Sequence, residues 1–262
     1  MSRTYRFFVR NTSVASTIAQ EQSSFRLTEN QEPEIFFQVK NVLRCKQGDI
    51  LVLITSQENP PYLEFHFTVE NVTKNEINCR FQSALKNTNE LPYRLGLVLA
   101  LPNRPEKLGF IIQKAVEIGV SSITLCEADF SQFRHHIKPE RLEKIILEAA
   151  EQSERPIIPK LFIEGKLSEY LIKATKGETG PAIWVAMERY HRDPEKKPTG
   201  NPFVGADTSR GLDILIGPEG GFSESEKNIM QKRGLSCFSL GKRILRMETA
   251  AVLSLGLASL LG

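Results

Sequence analysis

The clearest chemical signal is a glycine-rich segment at residues 215–223, Leu-Ile-Gly-Pro-Glu-Gly-Gly-Phe-Ser, between a predicted strand and a predicted helix. Glycines in such a turn allow the backbone to approach a ligand closely. A phosphate ligand is disfavoured, because Ser223 and Glu226 form an S-x-x-E capping box that occupies the helix donors. Glu224 and Glu226 also add negative charge to the first helical turn. The segment has neither a Walker Lys-Ser/Thr pair nor G-x-G-x-x-G spacing.

A ligand without phosphate, held by backbone groups beside an acidic residue, suits this segment better. S-adenosylmethionine has these properties, because its adenine and ribose offer hydrogen-bonding groups and its sulfonium is cationic. An ordinary strand–helix turn with normal caps explains the same residues equally well. The glycine-rich segment alone therefore leaves both interpretations open.

A second segment, residues 239–250, places Lys242, Arg243 and Arg246 on a loop between a predicted strand and the final predicted helix. Exposed arginines on a loop are typical of phosphate or base recognition. The alternative is a solvated basic loop with Glu248 as a first-turn helix residue. Taken alone, the segment favours that alternative.

The residues before these segments divide into two patterns. Residues 1–82 are rich in short alternating strands around one predicted helix, Asn30–Arg44, which indicates a small β-barrel. Residues 83–92 are polar and predict a linker. From residue 93 onward, apolar strands alternate with amphipathic helices, and the first strand–helix–strand unit covers residues 94–126. This pattern predicts an α/β domain with a parallel sheet, in which residues 188–211 form a mobile loop.

The composition excludes few functions, but it indicates the general class of protein. The chain has 262 residues, a formal net charge of +3, 40% hydrophobic and 25% charged residues, as in a soluble globular protein. Its four cysteines lie far apart, which predicts reduced thiols in a cytoplasmic protein. The N-terminus lacks a signal-peptide core, and Ala250–Leu261 is too short to span a membrane. The four histidines, His66, His135, His136 and His191, show no metal-ligand spacing, so no metal is expected.

Taken together, residues 216–226 and 240–250 resemble the signature of the ribosomal RNA small subunit methyltransferase E family, a branch of the SPOUT superfamily. Residues 113–120, residues 148–156, and Val42-Leu43-Arg44 with Gly48-Asp49 match further family segments in the same order. Two segments depart from the family pattern. Residues 127–133 lack its Ser/Arg-rich sequence, and residues 54–56 replace its usual Asp-Gly turn.

The resemblance implies a PUA-like β-barrel at residues 1–82, a linker at 83–92, and a SPOUT α/β domain at 93–262 with a C-terminal trefoil knot. It also implies a homodimer that methylates N3 of a uridine in 16S ribosomal RNA, with the RNA within the small ribosomal subunit as its substrate. The expected methyl donor is S-adenosylmethionine. Its binding residues would be Met187, Ile216, Gly217, Pro218, Glu219, Gly220, Gly221, Leu240, Gly241, Ile244, Leu245 and Arg246.

Chemical roles follow from the reaction that the resemblance implies. Deprotonated uridine N3 shares its negative charge with the neighbouring carbonyl oxygens, and a guanidinium beside them would stabilise it. We expect Arg246 to do this, with Glu219 or Glu248 as proton acceptor or orienting group; helix capping or a structural ion pair explains either glutamate equally well. The residues expected to bind RNA are Arg6, Arg10, Arg44, Arg155, Lys242 and Arg243. For Arg6 and Arg10, solvated barrel arginines are the favoured alternative.

Three other functions compete with this hypothesis. A SPOUT enzyme acting on a ribose 2′-hydroxyl is disfavoured, because Ser239-Leu240-Gly241 stands where such families have Ser-Leu-Asn. A non-enzymatic RNA-binding protein with this fold would not need the glycine-rich segment and Arg246 together. A nucleotide-binding α/β protein is disfavoured by the missing phosphate motifs.

Overall fold

The computed structural model describes residues 2–20, 23–55, 60–133, 136–174, 180–188 and 201–261. The chain forms two compact units, residues 1–90 with 150–158, and residues 91–149 with 159–262. Within the described residues, no helix is long and apolar enough to cross a membrane. The four cysteines are free thiols, and three of them are buried. His135, His191 and residues 189–200 of the predicted mobile loop lie outside the described residues.

The first unit contains a mixed five-stranded sheet with the order β1-β3-β4-β5-β2. Its strands are β1 Thr4–Val9, β2 Ser24–Thr28, β3 Ile50–Thr55, β4 Tyr62–Val72 and β5 Glu76–Asn87. In β4, Phe65, Phe67 and Val69 are buried as their alternation predicts. Their side chains form one core with residues of the helices α1 Thr12–Ala19 and α2 Pro33–Phe37.

Two local predictions in this unit need correction. The helix predicted over Asn30–Arg44 begins at Pro33, because proline suits a first helical turn, and continues as a π-helical segment, Gln38–Val42. The predicted linker at residues 83–92 is a strand in its first half, since β5 runs to Asn87. The Asn87 amide donates to the Glu64 carboxylate and, at 3.0 Å, to the Glu154 carbonyl, so this polar strand end is held by side-chain contacts.

Residues 150–158, which begin in the last turn of the helix Pro139–Gln152, complete the first unit. The Glu151 carboxylate accepts a hydrogen bond from the backbone N–H of Phe8 at 3.1 Å. Arg155 donates to Glu90 through Nε at 3.0 Å and Nη2 at 2.7 Å. The two side chains are only 3% and 12% exposed, so this bidentate ion pair is largely withdrawn from water.

The second unit is a parallel α/β sheet with the order β11-β9-β10-β6-β7-β8. Its elements are β6 Leu95–Ala100, α3 Pro105–Ile118, β7 Ser122–Glu127, α4 Pro139–Gln152, β8 Lys160–Lys166, α5 Leu167–Ala174, β9 Ala182–Ala186, β10 Leu212–Ile216, α6 Glu224–Lys232, β11 Ser236–Phe238 and α7 Met247–Ser259. Every residue of β6 and β10 is buried, as expected for central parallel strands.

The strand order reverses beside β10. The chain first builds β6, β7 and β8 outward in one direction, and then returns to place β9, β10 and β11 on the other side of β6. Ligands of open α/β sheets bind beyond the carboxyl ends of the strands at such a reversal. The segments that follow β6, β9, β10 and β11 therefore define the region to search for a functional site.

Residues 201–211, a described part of the loop predicted over residues 188–211, form turns and irregular backbone, but one of their side chains belongs to the core. Phe203 is fully buried, and its ring lies 5.4 Å from the Trp184 ring and 4.8 Å from the Phe238 ring, measured between centroids. Edge-to-face aromatic contacts of this kind add to the stabilisation that burial provides. This part of the segment is anchored to the sheet at β9 and β11.

The buried ion pair of the first unit yields a stability prediction. Arg155→Ala leaves the Glu90 carboxylate in a desolvated position without its cation, which should lower the free energy of unfolding by about 3–5 kcal/mol. The measurement is urea unfolding followed by circular dichroism. The control is Arg80→Ala, which removes an exposed pair with Glu70 and should cost about 1 kcal/mol or less. Equal losses for the two variants would contradict the structural role of Arg155.

Candidate functional site

A cavity of about 910 Å³ opens at the carboxyl edge of the second unit's sheet. Three segments supply most of its wall: Ala186–Glu188 after β9, the glycine-rich loop after β10, and residues 239–248 after β11. Its lining consists of Lys107, Phe130, Ala186, Met187, Glu188, Ile216, Gly217, Pro218, Glu219, Gly220, Gly221, Phe222, Glu224, Lys227, Ser239, Leu240, Arg243, Ile244, Leu245, Arg246, Met247, Glu248 and Ala250. All predicted methyl-donor contacts except Gly241 belong to this lining.

The glycines of the loop after β10 are required by close packing. A Cβ atom on Gly217 would lie 2.8 Å from the Phe222 ring, and one on Gly220 would lie 2.9 Å from the Phe130 Cβ. Gly221 has φ +72°, a left-handed conformation that side chains disfavour. Close contact with the aromatic residues Phe222 and Phe130 therefore accounts for Gly217 and Gly220, and all four residues line the cavity.

The N-terminus of α6 is filled by a buried carboxylate. Glu226 is 1% exposed, and its two oxygens accept from the backbone N–H of Ser223 at 2.9 Å and of Asp129 at 3.0 Å. The Ser223 hydroxyl accepts from the Glu226 N–H, which completes the capping box predicted from the sequence. Because these backbone N–H groups already have acceptors, the helix end offers few donors to an anionic ligand. This agrees with the sequence argument against phosphate.

Asp129 fixes the segment after β7 on the same helix end. Its carboxylate accepts from the Ser223 hydroxyl at 2.5 Å and from the Ser225 hydroxyl at 3.0 Å. These hydrogen bonds, with Ser223 first, lower the pKa of the Asp129 carboxyl below its ordinary value. The segment at residues 128–131 is thus held against the end of the glycine-rich loop, because Asp129 binds the hydroxyls of both Ser223 and Ser225.

Glu219 is committed to an ion pair at the edge of the cavity. Lys107 donates to its carboxylate at 2.6 Å, and the backbone N–H of Asn103 donates at 3.2 Å. Burial by itself would raise the pKa of Glu219, but the hydrogen bonds from Lys107 and the backbone outweigh it and lower the pKa. A carboxylate held ionised in this way is a weak proton acceptor, so the geometry favours a structural role.

Glu248 has a different environment, although it lines the same cavity. Its Oε2 atom is buried and has no hydrogen-bond partner among the described residues. A buried acceptor without a donor costs free energy, unless a ligand supplies the donor or the positive charge. A ligand in the cavity could therefore supply the donor that this oxygen of Glu248 lacks among the described residues.

Arg246 caps α7 with its backbone and leaves its side chain exposed at the cavity. No ion pair to its guanidinium is found in the described part of the chain. Arg243 lines the cavity beside it, whereas Lys242 is exposed on the same loop outside the lining. Gly241 also lies outside the lining, and its φ of +117° turns the loop between these side chains and β11.

The basic residues predicted in the first unit have unequal environments. Arg6 is 12% exposed and paired with Glu64, and the buried Arg155 is paired with Glu90. This geometry argues against an RNA contact by either, because each guanidinium is already desolvated and bound to a carboxylate. Arg10 is 57% exposed, with Glu34 at 3.8 Å. Arg44 is exposed at φ +50°.

Sequence reasoning missed several residues of the cavity. Ser239 and Ala186 could have been predicted, because strand ends meet at one edge of a parallel sheet. Lys107 lies on the segment after β6, which the same rule places at this edge of the sheet. Phe130 had no local signal, because its place depends on the contact with Gly220. No cluster of three or more potential metal ligands exists among the described residues.

Comparison with known proteins gives the class first. Residues 89–259 match the model of a family described as an RNA methyltransferase domain. Ribosomal RNA small subunit methyltransferase E of Rickettsia conorii is 31% identical over 90% of this chain and 93% of that protein. The protein of the same name from Buchnera aphidicola subsp. Acyrthosiphon pisum is 32% identical over 83% of this chain and 81% of its own. The chain therefore belongs to the ribosomal RNA small subunit methyltransferase E family.

Solved structures show the same fold. A candidate methyltransferase from Legionella pneumophila, in complex with its bound cofactor S-adenosylmethionine, has a TM-score of 0.71 and 27% sequence identity. The similarity covers 97% of this chain and 96% of that one. The two-unit α/β architecture described above is therefore shared over nearly the whole chain.

The Glu226 carboxylate yields the second prediction. Glu226→Ala removes both acceptors and leaves the Asp129 and Ser223 N–H groups without partners, at a cost of about 1–3 kcal/mol in the free energy of unfolding. Glu226→Gln, which retains one acceptor, should cost less. Thermal and urea unfolding measure both variants. Glu224→Ala, at an 84% exposed position in the same turn, is the control, and a loss equal to that of Glu226→Ala would contradict the assigned role.

Proposed function

We propose that this chain transfers a methyl group from S-adenosylmethionine to N3 of a uridine in 16S ribosomal RNA. The observation that supports the proposal most directly is a cavity lined by both Arg246 and Glu248. Among the described residues, the Arg246 guanidinium has no ion pair and the Glu248 Oε2 atom accepts no hydrogen bond. The first could stabilise a developing anion, and the second could accept a hydrogen bond or a proton.

The residues present suit S-adenosylmethionine. When bound, it supplies an electrophilic methyl group on a cationic sulfonium. The volume of about 910 Å³ lies in the range of small-molecule sites. The glycine-rich loop presents backbone groups to the cavity, and the blocked N-terminus of α6 disfavours phosphate-bearing competitors. The segments after β9, β10 and β11 would hold the ligand, with the predicted residues Met187, Ile216–Gly221, Leu240, Ile244, Leu245 and Arg246.

Arg246 is proposed to act on the nucleobase. Uridine N3 must lose its proton before it can attack a methyl group, and the negative charge then spreads to the O2 and O4 carbonyl oxygens. A guanidinium in a cavity lowers the free energy of that anion more than it lowers that of the neutral base. Positioning of the base against the methyl group supplies the remainder of the acceleration.

Glu248 is the better candidate for proton acceptor or orienting group. Glu219 already accepts from Lys107 and Asn103, and its pKa is lowered. Glu248 lines the cavity, and its Oε2 atom has no donor in the described part of the chain. The two carboxylates that the sequence left equivalent thus receive different roles, Glu219 in loop structure and Glu248 in contact with ligands.

RNA binding is assigned to the exposed basic residues that remain, Arg10 and Arg44 in the first unit and Lys242 and Arg243 in the second. Phosphate contacts by such residues set affinity and orientation. By resemblance to the family, we further propose that the first unit is a PUA-like barrel and that the C-terminal segment forms a trefoil knot. The protein would act as a cytoplasmic homodimer on 16S RNA in the small ribosomal subunit.

Methyl transfer to small ribosomal subunits tests the proposed function. The purified protein is incubated with labelled S-adenosylmethionine and subunits that lack the modification, and the RNA is digested to nucleosides. We expect the label in N3-methyluridine. Label in another base or in a ribose 2′-O-methyl group would overturn the N3 assignment. No label, together with no thermal stabilisation by S-adenosylmethionine, would favour a non-enzymatic RNA-binding protein.

The role of Arg246 predicts a specific kinetic defect. Arg246→Ala should lower kcat by about 10²–10³-fold, because one donor to the developing anion is lost. Activity should recover partly at higher pH, where hydroxide assists removal of the N3 proton. Calorimetry of S-adenosylmethionine binding shows whether the variant is impaired in the chemical step or in its affinity for the cofactor. Arg233→Ala, at an exposed site outside the cavity lining, is the control, and retained kcat in Arg246→Ala would refute the assignment.

A further inference from the structure

Phe130 presents an unusual surface at the cavity. Two aromatic side chains belong to the described lining, Phe130 and Phe222. Phe222 is 7% exposed, and its ring packs on Gly217 as part of the hydrophobic core. Phe130 is 49% exposed although it borders the same cavity. An apolar ring in this position is not explained by the packing of the unit.

The backbone that supports Phe130 is held on both sides. Asp129 binds the Ser223 and Ser225 hydroxyls, and its N–H donates to Glu226. Ala128 and Ser131 close a tight turn, in which the Ala128 N–H donates to the Ser131 hydroxyl at 3.1 Å and the Ser131 N–H donates to the Ala128 carbonyl at 2.9 Å. The Cβ and backbone of Phe130 rest against Gly220. The ring is therefore exposed on a fixed base and not on a free loop.

The proposed reaction creates a need for such a ring. N3 of uridine lies on the edge that pairs with another base, so the nucleotide must be unpaired and turned out of its stack before N3 can enter the cavity. The extruded base loses its stacking partners. An aromatic side chain at the cavity replaces them without reading the sequence, since every base has a flat face.

We propose that Phe130 stacks on the target uridine and holds its plane at the mouth of the cavity. This inference rests on the proposed function and adds a positioning residue for the nucleobase. Phe130 contributes through its flat face, whereas Arg246 acts on the carbonyl oxygens at the edge of the base. The fixed turn at residues 128–131 then sets the orientation of the base relative to the glycine-rich loop.

Substitution at Phe130 tests the proposal by two independent signals. Phe130→Ala keeps the Cβ contact with Gly220 and should lower kcat/KM for the small subunit by roughly 5- to 150-fold, with S-adenosylmethionine affinity unchanged. Phe130→Trp should retain activity, whereas Phe130→Leu, which has similar apolar volume but no flat face, should behave like Phe130→Ala. Phe162, which is 45% exposed on β8 outside the cavity lining, provides Phe162→Ala as the matched control.

Fluorescence reports stacking without turnover. The chain has one native tryptophan, Trp184, so the indole introduced by Phe130→Trp is measured against the parent protein and Phe162→Trp. Addition of a short oligouridylate should quench only the Phe130→Trp protein. Equal activity of Phe130→Ala and Phe162→Ala, rescue by Phe130→Leu, or absence of quenching would overturn the inference. Failure of the parent to methylate RNA would refute the proposed function, while selective quenching would still support base stacking at Phe130.

Discussion

The buried carboxylate of Glu226 is the contact on which the proposed site depends. It joins two segments that are distant in sequence, the turn after β7 and the loop after β10, by accepting the backbone N–H groups of Asp129 and Ser223. Because a carboxylate already fills the N-terminus of α6, the positive end of that helix is neutralised from within the protein. The same contact fixes the wall of the cavity and determines which ligand chemistry it disfavours.

Glu219 and Glu248, two of the acidic side chains that line the cavity, show how environment assigns roles to identical groups. Glu219 has a lysine and a backbone N–H as donors, so its charge is compensated by the protein. Glu248 lies in the first turn of α7 with one buried oxygen unsatisfied. A sequence shows two glutamates in glycine-rich and basic surroundings, and only their partners in the fold distinguish a structural carboxylate from an available one.

Prediction from the sequence succeeded where the signal was local. The parallel sheet followed from apolar strands alternating with amphipathic helices, and the capping box followed from Ser223 and Glu226 alone. Helix α1 and strand β2 were not predicted, although the sequence contains signals for both. Asn11 is a typical N-cap for α1, and the alternation of Phe25 and Leu27 indicates β2. The partners of Arg6 and Arg155 could not be predicted, because carboxylates separated from them by 58 and 65 residues decide whether a guanidinium is buried or free.

The discontinuous first unit has a consequence for biosynthesis. Its strands end at Asn87, yet residues 150–158 are needed to complete it, so translation must continue for 68 more residues after Glu90 (158 − 90) before all its parts exist. At ordinary elongation rates of about 5–20 residues per second, this interval lasts about 3–14 seconds. For most of this interval Glu90 has been synthesised, but its ion-pair partner Arg155 has not. The nascent chain therefore receives the last part of its first unit only after synthesis of the second unit has begun.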